Sequence, residues 1–134
     1  MMGSLVFASL ACGLLAPAAD PTPPRDQDAL KGDWRQTAFV MDGRSRDASG
    51  ITIRIDGDTI TVKHGEEAEP PAPYTLDPAK KAIDLKLENE GRTMRGIYQV
   101  EGKTLKICLN PKSRPSKFTA EAGTGNVLMV FERR

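Results

Sequence analysis

The sequence predicts an all-β domain, an eight-stranded antiparallel up-and-down barrel. Three observations carry that prediction. From Trp34 to the C-terminus, apolar and polar residues alternate with a period of two and never settle into a helical period. Turn signals interrupt the alternation at hairpin spacing, as Asp42-Gly43, Asp56-Gly57, Glu90-Gly91 and Glu101-Gly102. No stretch between strands has the pattern of the crossover helix that parallel strands would need. Eight such strands can close on themselves, which removes exposed edges and leaves room for side chains or one small ligand. A two-sheet sandwich is the competing arrangement, and hairpin spacing throughout favours the barrel.

Taken in order, "WRQTAFVM" is the first strand and stops at Asp42-Gly43, a hairpin dipeptide. "ITIRI" puts Ile51, Ile53 and Ile55 on one face and Thr52 and Arg54 on the other. Gly57 can take positive φ without a Cβ penalty, so the chain turns tightly there into "TITVKH", with Ile60, Val62 and His64 in phase. "PYTL" runs into a turn over Asp77–Lys81, where Pro78 fixes φ, and "AIDLKL" then aligns Ile83, Leu85 and Leu87. "TMRGIYQV" and "KTLKICL" flank Glu101-Gly102. The second aligns Leu105, Ile107 and Leu109 and turns Cys108 to the opposite face. A long polar connection leads to "VLMVFERR", apolar on both phases from Val127 to Phe131, as suits a strand covered on both sides. Ahead of the first strand, "DQDAL" predicts a short helical turn capped by Asp26 and stopped by Gly32.

The other end of the chain speaks to compartment. Nothing before Asp20 is charged, and "LVFASLACGLLA" (Leu5–Ala16) is too short for a membrane helix, which needs roughly 20 residues. It has the length of the apolar centre of an export signal, with small residues at Ala16–Ala19 for cleavage. The expected division is a signal peptide over 1–18, a proline-rich tether over 19–29 and the barrel domain over 30–134. Two fates of the leader stay open. "SLAC" (Ser9–Cys12) also fits lipoprotein processing, and only lipidation of Cys12 would bring the protein to a membrane, by acyl chains. Either way the expected location is the periplasm or cell envelope. Cleavage leaves Cys108 alone, so the core must hold the fold without an intrachain disulfide. With 19 basic and 18 acidic side chains, the chain is not built to grip nucleic acid or anionic membrane by bulk charge.

The ordered set "LKGDW", Asp42-Gly43, "IDGDTITV", "LDPAKKAIDL", "GIYQVEGKTLKIC", "RPSKF" and "VLMVFERR" resembles a family of small exported lipocalin-like domains found in planctomycete bacteria, whose function is uncharacterised. The likeness runs from about Leu30 to Arg134. "GDW" (Gly32–Trp34) is similar to the lipocalin-type G-x-W signature. That resemblance implies a lipocalin-like barrel whose Trp packs across the base beneath a basic residue of the last strand, here Arg133 or Arg134. Ala82 departs from the family, which often has Pro-Lys before the Ile-Asp pair, a change confined to a loop. The family brings no activity to carry over.

Candidate functional residues are few. Trp34 reads as a plug rather than a ligand platform, because the start of the first strand belongs to the closed end. Gly32, Trp34 and Arg133 form the expected closure set. His64 is the only histidine, and no cluster of ligating residues surrounds it in sequence, so no metal and no cofactor are expected. Cys108 has no neighbouring base to make it a nucleophile. Asp56, Asp58 and Asp77 read as turn residues, and Asp84 as an outward strand position. The candidates for ligand contact are Tyr74, Tyr98, His64, Arg114 and Phe118. The reading is a non-catalytic monomer that binds a small apolar or amphipathic ligand. Its alternative is a filled barrel acting as an interaction or inhibitor-like module on an envelope protein. A pocket joining His64 to Cys108 or to a carboxylate would favour an enzyme instead.

Overall fold

Each strand of the barrel wall pairs with the next wall strand along the chain, as alternation and tight turns dictate. The computed structural model describes residues 26–87 and 90–134; the leader and most of the tether, Cys12 included, lie outside the described residues. A five-residue helix, α1 (Asp26–Leu30), precedes ten strands. They are β1 (Gly32–Met41), β2 (Arg44–Arg46), β3 (Ile51–Asp56), β4 (Thr59–His64), β5 (Glu67–Ala68), β6 (Ala72–Asp77), β7 (Ala82–Leu87), β8 (Arg92–Glu101), β9 (Thr104–Asn110) and β10 (Val127–Arg133). Eight of them run β1-β3-β4-β6-β7-β8-β9-β10, every neighbour antiparallel, and β10 returns to pair with β1. The result is a closed eight-stranded up-and-down barrel of lipocalin-like form. Short β2 and β5 were not legible as strands; they pair only with the upper halves of β1 and β4.

Register places the bulky residues inside. Ile53 faces Val62, Ile55 faces Ile60, Tyr74 faces Leu85, and Leu105 lies between Val100 and Phe131. Between Val130 and Phe131 the β10–β1 ladder shifts by one residue, so buried Gln36 pairs with Phe131 on one side of the irregularity and half-buried Phe39 with Met129 on the other. Trp34, Tyr98, Phe131 and Leu105 are essentially inaccessible and fill the lower half of the lumen. β10 itself is half-buried on both faces rather than fully covered.

The lower end is sealed by α1. Leu30 is fully buried under the barrel, and its carbonyl accepts the Trp34 Nε1–H at 2.8 Å. Arg133 stacks its guanidinium 4.1 Å from the Trp34 ring and donates to the carbonyls of Lys31 (2.9 Å) and Ala29 (2.5 Å). Those are last-turn carbonyls that a helix leaves without internal partners. Gly32 sits at φ 127°, and a Cβ there would stand 2.8 Å from Arg133 Nη1, which accounts for the glycine two places before the tryptophan.

The chain from 111 to 126 does not cross an end of the barrel. It descends the outer wall and climbs back, held by Arg114, which donates to the carbonyls of Gly96 (2.8 Å) and Ile83 (3.3 Å). Cys108, on the outward phase of β9, is wholly covered by this segment and its Sγ contacts the Thr119 carbonyl at 3.4 Å. Buried Asn110 starts the excursion. Its amide nitrogen donates to Thr124 O and Asn126 Oδ1, and its oxygen accepts from the Lys112 and Ser113 backbones.

Arg133→Ala removes a cation–π contact and two charge-assisted hydrogen bonds at once. Urea unfolding should show a loss of about 2–4 kcal/mol. Arg133→Lys, which cannot stack and fork together, should recover less than half of it.

Candidate functional site

Two concavities stand out, one through the wall of the upper barrel and one outside the lower barrel. The first begins at a weak seam. β4 and β6 share only two residue pairs, Thr59 with Pro73 and Ile60 with Ala72. Prolines cause this: Pro70, Pro71 and Pro73 have no N–H to give to a ladder. Above Ile60, β4 pairs instead with the two residues of β5, and the wall opens between β4 and β7.

A cleft of about 160 Å³ occupies this opening, lined by Val62, Pro70, Pro71, Leu85 and Leu87 among others, with Glu69, Lys86 and Glu90 at its rim. It shares Ile60, Val62 and Leu85 with a lumen cavity of about 80 Å³ that continues to Ile83, Ile107, Leu109, Met129 and Phe131. Every residue lining the inner cavity is apolar. Such a space holds no water worth the name, and it is about half the size of an apolar cavity that admits benzene. A large rigid ligand is therefore excluded from the lumen, whereas a slender apolar tail fits.

The candidate residues are scattered around these features. His64 stands on the upper rim with its Nε2 2.6 Å from Glu69 Oε2, both side chains more than half exposed. The pair ties the strap Glu67–Pro71 to β4, helped by the Glu69 N–H on Val62 O at 2.8 Å. Tyr74 is buried low in the barrel and donates its hydroxyl to Gly57 O at 2.8 Å. Tyr98 is also buried, and its hydroxyl donates to Asp26 Oδ2 at 2.5 Å. Neither hydroxyl is solvated; both are structural donors. Burial, then the nearby Asp58 charge, raises the Tyr74 phenol above its ordinary value, and burial, then the Asp26 hydrogen bond, does the same for Tyr98. Arg114 holds the outer segment and sits 2.9 Å from Asp84 Oδ1, a close ion contact not aligned as a hydrogen bond. Phe118 is half-buried outside the wall. His64 and Cys108 lie apart, one on the rim of β4 and the other under the segment over β9. Burial pushes the Cys108 thiol up, against any nucleophilic use at neutral pH.

Tyr98 and Phe118 do meet at one place, the second concavity. It is a groove of about 580 Å³ on the outside of the lower barrel, which also takes in Asp26, Lys81 and Val100. Sequence reasoning missed its other members. Asp26 and Tyr98 are 72 positions apart, and nothing local signals that they touch. Lys81, at φ 53°, turns its ammonium onto the same Asp26 oxygen at 2.7 Å.

Among the described residues no group of three or more His, Cys, Asp or Glu is placed to hold a metal ion, and no helix is long and apolar enough to cross a membrane. No protein-family model and no curated protein matches this chain.

Hydrogen bonds from Lys81 and then Tyr98 hold the Asp26 carboxyl below its ordinary value. A depressed carboxyl stabilises the fold above its unfolded pKa, and the contribution vanishes as pH falls through the folded one. Wild type should lose about 1 kcal/mol more than Asp26→Asn between about pH 5 and about pH 2, measured by urea midpoints across that range.

Proposed function

We propose that this protein is an exported, non-catalytic, lipocalin-like barrel of the cell envelope. In this reading it binds a small amphipathic molecule through the upper wall. One observation carries the reading: the all-apolar lumen cavity and the cleft between β4 and β7 share Ile60, Val62 and Leu85 as a common wall. The cavity takes the apolar tail, and the cleft, with charged side chains on its rim, takes the polar part. The uncharged N-terminal run supports export, and the Arg133–Trp34 stack supports kinship with the exported lipocalin-like family. The separation of His64 from Cys108 supports a non-catalytic role. A second reading, a module that works on an envelope protein through its surface, is supported by the solid packing of the lower lumen.

Calorimetric titration with a series of straight-chain carboxylates, butanoate to decanoate, separates the two. Each methylene that enters the cavity should strengthen binding about fourfold, until the cavity is full and the gain stops. Val62→Phe, which places a ring where cavity and cleft join, should abolish the chain-length dependence at a stability cost of about 1–3 kcal/mol. Affinities independent of chain length, or unchanged in the variant, would sink the ligand reading in favour of the surface one.

A further inference from the structure

The outer groove shares no lining residue with the lumen cavity, and its origin lies in register. β7 begins at Ala82, paired with Ile97, but β8 runs on to Glu101. The last β7-side contact of β8 is the Tyr98 N–H on Lys81 O at 3.0 Å. Backbone polarity alternates along a strand, so Val100, two residues further, aims its N–H and C=O the same way. There the neighbouring chain has turned off into Asp77–Lys81. Among the described residues no backbone group pairs with Val100 on that side.

Charges of both signs line the groove beside this strand edge. Lys81 of the turn is already held on Asp26 at 2.7 Å, which leaves Lys80 of the turn and Glu101 of β8 as the charges open to a ligand. Phe118 and Ile97 supply apolar wall between them. An anion alone would meet Glu101, and a cation alone would meet Lys80. A molecule carrying one charge of each sign, separated by an amide, meets neither conflict.

We propose that this groove binds a short free peptide of two or three residues, lying across it with its backbone paired to Val100. The peptide carboxylate faces Lys80, its ammonium faces Glu101, and an apolar side chain rests on Phe118. A volume of about 580 Å³ lies within the range of small-ligand sites. The site is pre-organised. Arg114 fixes the outer segment on the strand carbonyls, and Pro115 and Ala120 are buried beneath it, so Ser116 and Phe118 are already in place. This gives the long connection a purpose beyond covering Cys108.

The test is titration of the isotopically labelled protein with Ala-Phe-Ala, followed by amide chemical shifts, beside the same peptide acetylated and amidated at its ends. Saturable shifts should centre on Lys81, Tyr98, Val100 and Phe118. The blocked peptide should bind at least about tenfold more weakly, having lost both charge-assisted contacts. Val100→Pro removes one donor at an edge position that tolerates proline, and should weaken binding about threefold to tenfold. Lys80→Glu, on an exposed turn residue that bears no part of the core, should weaken it as well without altering the melting temperature. Absence of saturable shifts at millimolar peptide, shifts centred elsewhere, or equal binding by the blocked peptide or by Lys80→Glu would each overturn the proposal.

Discussion

The stack of Arg133 on Trp34 is the contact on which the rest of the barrel depends. One guanidinium joins the first strand, the last strand and the helix before them. It covers the indole at 4.1 Å while its fork satisfies the carbonyls of Ala29 and Lys31. The same pairing of Arg133 with Trp34 sets the register in which β10 meets β1, and that ladder is what closes the sheet. Without it both strands would present free edges, the usual template for association with another chain. Gly32 is the steric condition of the arrangement, since any side chain there would occupy the space of the guanidinium.

Most of the barrel was legible because its strands are long enough to show a period. Alternation located the wall strands up to β9 and an apolar run the last, and the dipeptides Asp42-Gly43 and Asp56-Gly57 marked turns that the backbone makes with positive φ at Asp42, Gly43 and Gly57. β2 and β5 escaped notice for the same reason in reverse. "RSR" carries no apolar residue, "EA" has only one, and both are too short to have a phase, so neighbouring strands rather than composition hold them in place. The helix at Asp26–Leu30 was readable from its cap and stop residues. The docking of that helix was not, because Tyr98 and Lys81 reach Asp26 across the whole fold.

The candidate residues show where sequence reasoning stops. Aromatic, cationic and histidine side chains were singled out for what their chemistry could do, yet Tyr74 and Arg114 spend that chemistry on backbone carbonyls of the barrel itself. The two concavities arise instead from things a residue type does not announce. One follows from where β8 outruns β7, and the other from three prolines at a seam. The prolines were visible, but a Pro-rich stretch between two strands reads equally as an ordinary loop. Only the pairing shows that it withholds hydrogen bonds from a wall that would otherwise be continuous.

That seam also decides which part of the wall can move. Local opening draws on regions with few backbone pairs and little buried apolar contact. The β4–β6 junction has two residue pairs, whereas β8 and β9 share seven and β10 and β1 share seven. The lower end is held by α1, by the Arg133 fork and by the Asp26 link to Tyr98 and Lys81. Separation at the seam breaks the fewest interactions and exposes Ile60 and Val62, the residues that already line both cleft and cavity. The part of the wall that opens most easily therefore lies between β4 and β7, under the strap that His64 and Glu69 hold down. The stiff base is what makes this possible, because a wall can loosen along one seam only if the remaining strands keep their register.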